Sequence, residues 1–337
     1  MNVVSSQWSV VSKRIFSFAL CAMLFVLCGS VDAQQTGKIF RIGFLDPSTA
    51  SSSAARLESF WQEMRKLGWI EGKNIAIEYR FADQKAQRIP ELTADLVRLK
   101  VDLIIVTDGL SALAAKGVTP TTPMVITSAA DPVRQGLVTS LARPGGNITG
   151  LSSLSSDLIT KRLEILKDTI PRLSRVGLLR TRGGTGGAQI TEIRPAALAL
   201  KIKLEEIESQ FDAKGLESTF QIAKQKQVDA IMPTTNRRFF AERKRIVEFA
   251  GKYRLPAIYF QTEFVDEGGL MSYGVNYDDL FRRAAVYVDK ILKGAKPADL
   301  PVQQATKFEF IINLKAAKQI GLTIPGRVLE RANQVIK

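Results

Sequence analysis

From residue 39 onward, short apolar runs rich in β-branched residues alternate with longer amphipathic stretches, the pattern of strands and helices wound in parallel pairs. The runs place strands over 40–45, 74–79, 103–107 and 124–127, and the stretches between them place helices over 54–67, 85–99 and 111–116. In the first of these helices Leu57, Phe60, Trp61, Met64 and Leu67 recur three or four residues apart, making one apolar face, and Gly68 ends it. A second series repeats the order from Arg175, with strands over 176–180, 203–207, 229–232 and 257–260 and helices over 192–200, 213–225 and 238–253.

Two such units in tandem predict an α/β protein of two doubly wound, Rossmann-like lobes facing each other across a cleft. The stretch 143–156, rich in Gly, Ser and Pro, is the natural crossing between them. After a strand over 270–273, a helix over 279–292 and an extended segment over 302–312 read as the chain returning to the first lobe and crossing back. On that reading the N-terminal lobe is 38–150 plus 275–302 and the C-terminal lobe is 151–274 plus 303–337. Periodicity alone leaves open a plain layout of two consecutive blocks.

The first 33 residues break the pattern. Lys13 and Arg14 precede an apolar run over 15–28 interrupted only by Ser17, and Val31 and Ala33 supply the small residues three and one before a cut. This is the grammar of a secretory signal peptide, 1–33, with the mature chain starting at Gln34 and a periplasmic location. The run is shorter than the ~20 residues that span a bilayer, which disfavours an uncleaved anchor. A lipoprotein acylated at Cys28 is disfavoured by the bulky Val26 and Leu27 before it.

Both cysteines, Cys21 and Cys28, lie inside that segment, and the 337-residue chain has no histidine. These absences remove Ser/His and Cys/His nucleophilic chemistry, histidine acid–base catalysis and ordinary zinc sites, so no catalytic residue, metal or cofactor is expected. The net charge of +14 admits nucleic acid or anionic partners, but the basic residues are scattered among acids and lack interleaved aromatics. Most of that charge therefore reads as solvated helix surface, with no nucleic-acid partner and a monomer expected.

In parallel sheets, ligands meet the loops beyond the carboxyl ends of strands, where helix N-termini converge. Five such loops, 46–53, 108–111, 128–132, 181–187 and 234–237, are small and polar. Ser48, Ser111 and Ser128 offer hydroxyls, Thr181 and Arg237 lie in the second-lobe loops, and Arg182 or Arg237 suits a carboxylate. Phe44, Tyr273 or Tyr277 suits an apolar body, although each of these polar groups serves equally well as a helix cap and each aromatic as core. The glycine cluster at 183–187 lacks the Lys-Ser/Thr pair of a P-loop and the spacing of a dinucleotide fingerprint, and reads as a cleft rim.

Several motifs then carry a chain-long resemblance. They are Leu67-Gly68-Trp69-Ile70-Glu71-Gly72-Lys73-Asn74, Ala130-Asp131-Pro132-Val133, Arg143-Pro144-Gly145-Gly146-Asn147-Ile148-Thr149-Gly150 and Glu267-Gly268-Gly269-Leu270-Met271-Ser272-Tyr273-Gly274, with further stretches at 101–105 and 291–301. Together they resemble the ABC-transporter substrate-binding proteins related to tryptophan- and other aromatic amino acid-binding members, with the type I periplasmic binding fold. The resemblance implies a multi-strand hinge and closure on one small solute. It also assigns pocket roles to Asp108, Gly109 and Ser111, to Ala129 and Asp131, and to Asn236, with Tyr273 and Asn276 on the hinge side. The chain departs from the family pattern at 181–187, where asparagine and proline are usual.

The expected function is thus the extracytoplasmic solute-binding component of an ABC importer, taking an amino acid or an aromatic or carboxylate compound and meeting a membrane permease. The alternative is a secreted hydrolase or lyase in which Asp46, Asp108 and Asp131 work as acid and base. A regulator core lacks a helix-turn-helix in this sequence.

Overall fold

The computed structural model describes residues 38–181, 186–212 and 214–337. The signal segment 1–33, with both cysteines, lies outside the described residues, as do Arg182 and the following glycines to Gly184.

In chain order the first lobe begins with β1 (Phe40–Asp46), α1 (Ala50–Lys66), β2 (Ile75–Phe81), α2 (Ile89–Arg98), β3 (Leu103–Val106), α3 (Gly109–Val118), β4 (Met124–Ala129) and β5 (Ile148–Ser152). The second contains α4 (Leu158–Thr169), β6 (Arg175–Arg180), α5 (Gly186–Ala199), β7 (Lys203–Glu208), α6 (Gly215–Gln225), β8 (Ala230–Pro233), α7 (Arg237–Ala241), α8 (Arg243–Lys252), β9 (Ile258–Tyr259), α9 (Glu263–Asp266) and β10 (Met271–Val275). Then come α10 (Tyr277–Leu292), β11 (Gln303–Gln304), β12 (Phe308–Asn313), α11 (Leu314–Gln319), α12 (Gly326–Leu329) and β13 (Gln334–Ile336).

The first sheet is parallel throughout, in the order β11-β5-β4-β3-β1-β2. Its central strands are apolar on both faces because both are covered. Leu103 and Ile105 enter the core shared with α1 and α10, whereas Ile104 and Val106 enter the core under α2 and α3. Each such buried side chain contributes about 2 kcal/mol. The second lobe holds β7-β6-β8 and β13-β12-β10-β9, joined by a single parallel bridge from Ile231 to Ala257. Among the described strands only β10 and β12 pair antiparallel.

The α10 helix packs along α1 of the first lobe. Buried Trp69 donates from Nε1 to Asp289 Oδ1 at 2.9 Å, tying α10 to the loop that follows α1. Strand β11, which the sequence assigns to the C-terminal lobe, pairs instead with β5 at the edge of the first sheet. The extended segment over 302–312 is interrupted because Ala305 N–H turns to Ser152 and Asn276 N–H takes Lys307.

The crossings are built for close approach. Gly150 sits at φ +131°, and a Cβ there would lie 2.2 Å from the Ile126 carbonyl oxygen of β4. Gly274 in β10 passes so near Phe260 that a Cβ would lie 2.0 Å from its carbonyl oxygen. Three local readings differ from the sequence. Helix α1 starts at Ala50 rather than 54, because Thr49 and Ser52 form a reciprocal capping box. The helix read over 238–253 is two, turning at Glu242. The segment after β5 contains α4, whose buried Leu158, Ile159, Arg162, Leu163, Ile165 and Leu166 leave little polar face for periodicity to register.

Candidate functional site

The loops at the carboxyl ends of β1, β3 and β4 face those after β8 and β9 across a cavity of about 200 Å³. Its wall carries Ser48, Thr107 and Asp108 from the first lobe, Thr235 and Phe240 from the second, and Tyr277 from the hinge end of α10.

At its centre lies Arg237, the first residue of α7. One terminal nitrogen donates to Asp46 Oδ1 at 3.2 Å, and the other donates to Asp108 Oδ2 at 3.1 Å and to the Thr107 hydroxyl at 3.0 Å. The two carboxylates are also engaged within their own lobe. Asp46 accepts from the Ser48 amide and hydroxyl and from the Ser53 hydroxyl. Asp108 caps α3, accepting from the amides of Leu110 and Ser111 and from the Ser111 hydroxyl.

Burial alone raises the Asp46 carboxyl, but the Arg237 charge and the bonds from Ser48 and Ser53 outweigh it and hold the group below its ordinary value. Burial likewise disfavours the Arg237 cation, and Asp108 and Asp46 reverse that, pushing it above the ordinary arginine value. A carboxylate held to a guanidinium below its ordinary value, as Asp46 is, is a poor proton carrier at neutral pH.

A second arginine works by its face. Arg56 of α1 stands 4.6 Å from the Tyr277 ring centroid and 5.2 Å from that of Phe240, and its Nη2 donates to Glu263 Oε1 at 3.0 Å. Phe240 and Glu263 belong to the second lobe, so this contact also bridges the cleft. Burial pushes the Tyr277 hydroxyl above its usual range, partly offset by the charges of Arg56 and Arg237. A third bridge, Arg134 Nη2 to Glu192 Oε1 at 2.9 Å, lies among more exposed side chains.

A third arginine stands behind the wall. Arg162 of α4 is 1% exposed, and among the described residues its hydrogen bond runs from Nη2 to the Thr235 hydroxyl at 3.1 Å, with no partner for its Nε. Burial brings its pKa down to about 10, with the tyrosines Tyr277 and Tyr273 acting weakly in the opposite direction.

Of the residues singled out from sequence, Asp46, Ser48, Asp108, Gly109, Ser128, Asn236, Arg237 and Tyr277 line the cavity. Ser111 backs it through Asp108, and Thr181 backs it by accepting from Asn236 Nδ2 at 3.3 Å. Ala129 is buried at the end of β4, and Asp131 pairs with Arg134, neither on the wall. Asn276 caps α10 and donates to Glu309 Oε1 at 2.7 Å, while Tyr273 packs against Phe308 and Phe310, so both sit in the hinge. Phe44 is core. Arg56, Phe240 and Arg162 carried no sequence signal, since a helix-surface arginine and core-spaced aromatics read the same wherever they meet.

The fold just described is shared with known proteins. A family model described as ABC transporter substrate binding protein matches residues 49–336. The tyrosine-binding protein of Clostridioides difficile is 26% identical over 271 residues, covering 79% of this chain and 76% of the relative. Among solved structures, a conserved domain protein from Vibrio cholerae superposes with a TM-score of 0.82 at 27% identity, over 88% of this chain and 100% of that one. The ABC domain from Streptococcus pneumonia in complex with L-Trp superposes with a TM-score of 0.80 at 25% identity, over 88% of this chain and 99% of that one.

Proposed function

This chain belongs to the ABC transporter substrate-binding proteins, and we propose that the solute it carries is an aromatic L-α-amino acid. The supporting observation is the cavity wall, where the Tyr277 and Phe240 rings both flank the Arg56 guanidinium beside a set of opposed charges. Rings of this kind suit a planar apolar side chain, and a zwitterion suits a wall that carries both carboxylates and guanidinium groups. The tyrosine-binding and L-Trp-bound relatives point to the same class. The carboxylate-dependent hydrolase finds no support.

In this reading residues 1–33 direct export and are removed, leaving a periplasmic protein that starts at Gln34. No helix of the described residues is long and apolar enough to cross a membrane. The lobes, with the strand at 303–304 counted in the first, close about the hinge, and the closed face meets the permease. The protein acts as a monomer, without nucleic acid and without turnover. Mass spectrometry of protein purified natively tests the solute: tyrosine, tryptophan or phenylalanine released on denaturation supports the assignment. A retained solute with no aromatic ring refutes it.

A further inference from the structure

A guanidinium carries five N–H donors and a charge that is costly to bury without a counter-ion. Arg162 is the largest of the fully buried side chains, and among the described residues no carboxylate pairs with it. The other two arginines of the cleft are already matched, Arg237 by Asp46 and Asp108 and Arg56 by Glu263. The contrast is local, because the residues beside Arg162, Thr235 and Tyr277, themselves line the cavity. Arg162 is thus a buried cation with no carboxylate partner among the described residues, one residue behind the cavity wall.

We propose that Arg162 receives the carboxylate of the bound solute, with Thr235 orienting its guanidinium. The inference rests on the amino acid reading above and names the group that selects for the acid. A carboxylate accepts two parallel N–H bonds from a guanidinium, and within this low-dielectric wall such a pair is strong. The matched Arg237 is then a lobe-to-lobe clasp, and the expectation that it holds the solute's carboxylate passes to Arg162. The same geometry gives this residue an unusual signature: removing an uncompensated buried charge does not weaken the ligand-free protein.

The experiment compares L-tryptophan with tryptamine, which keeps the ring and amine and lacks the carboxylate, by calorimetric titration of wild type, Arg162→Met and Arg162→Lys. The wild type is expected to prefer L-tryptophan by roughly 100-fold. Arg162→Met loses that preference, and its ligand-free melting temperature equals or exceeds that of the wild type. Arg162→Lys, which keeps the charge but not the planar fork, retains only part of the preference. An undiminished preference in either variant, or a ligand-free Arg162→Met protein melting well below the wild type, overturns the assignment. A wild type that binds neither L-tryptophan nor L-tyrosine sinks the aromatic amino acid reading and this inference with it, whereas binding with unchanged discrimination in the variants sinks the inference alone; if only L-tyrosine binds, the comparison is made with tyramine.

Discussion

Arg237 reaches across the cleft from the second lobe to Asp46 at the end of the first strand, a 3.2 Å contact between residues separated by nearly two hundred positions in the chain. With Asp108 at 3.1 Å on its other side, the guanidinium joins two strand-end carboxylates of one lobe to the first turn of a helix in the other. The arrangement couples the stability of the ligand-bearing face to lobe contact and makes that stability depend on the ionisation of Asp46.

Asp46→Asn removes the buried carboxylate and leaves Arg237 with Asp108 alone. Because Arg237 is partly exposed, the loss is smaller than for a fully buried pair, roughly 2 kcal/mol. The sign with pH follows from a carboxyl held below its ordinary value of 3.8. Its stabilising contribution is complete above that value and is lost as the pH falls through the lower folded value. Urea unfolding therefore shows the wild type ahead of Asp46→Asn at pH 7, with the gap narrowing below about pH 4. A gap that widens on acidification contradicts the account.

Arg56 links the lobes through Glu263 and the Phe240 ring, and it also contacts the Tyr277 ring of its own lobe. Arg56→Ala is expected to cost only about 1 kcal/mol of stability, since the pair is partly solvated. Its larger effect is on lobe contact, so small-angle scattering of the ligand-free variant should report a greater radius of gyration. An unchanged radius removes Arg56 from the clasp.

Tyr277→Leu keeps an apolar side chain at the start of α10 and removes the ring. Affinity for L-tryptophan should fall about tenfold, the scale of one lost aromatic pairing with its area, while the radius of gyration stays that of the wild type. Equal affinity in both proteins places the solute ring elsewhere.

Gly150→Ala tests the crossing. The added Cβ meets the Ile126 carbonyl oxygen at 2.2 Å, and the backbone lies at a φ that side-chain-bearing residues rarely adopt. Strain and a disrupted β4–β5 pairing together destabilise by about 3 kcal/mol or more, read as a lower urea midpoint or as loss of soluble protein. A midpoint equal to that of the wild type rejects the close approach.

What could be read from the sequence follows from how locally each feature is determined. The strands of the first sheet were legible because both faces are covered, so Ile104, Ile105 and Val106 form an unbroken apolar run. The loops with Ser48, Asp108, Asn236 and Arg237 were legible because wound sheets place ligands beyond strand ends, although Asp108 and Asn236 also serve as helix caps there. Helix α4 was not, since nearly all of its apolar and several of its polar positions are buried, and Arg162 was hidden with it. Arg56 and Phe240 meet only when the two lobes come together, and no window of sequence contains both.

The central claim is tested most directly by calorimetric titration of protein stripped of bound solute by unfolding and refolding, with L-tyrosine and L-tryptophan as ligands. The account predicts saturable one-to-one binding of at least one of them and tighter binding than of L-leucine, which has the same backbone groups and no ring. Absence of binding by both, or tighter binding of leucine, contradicts it.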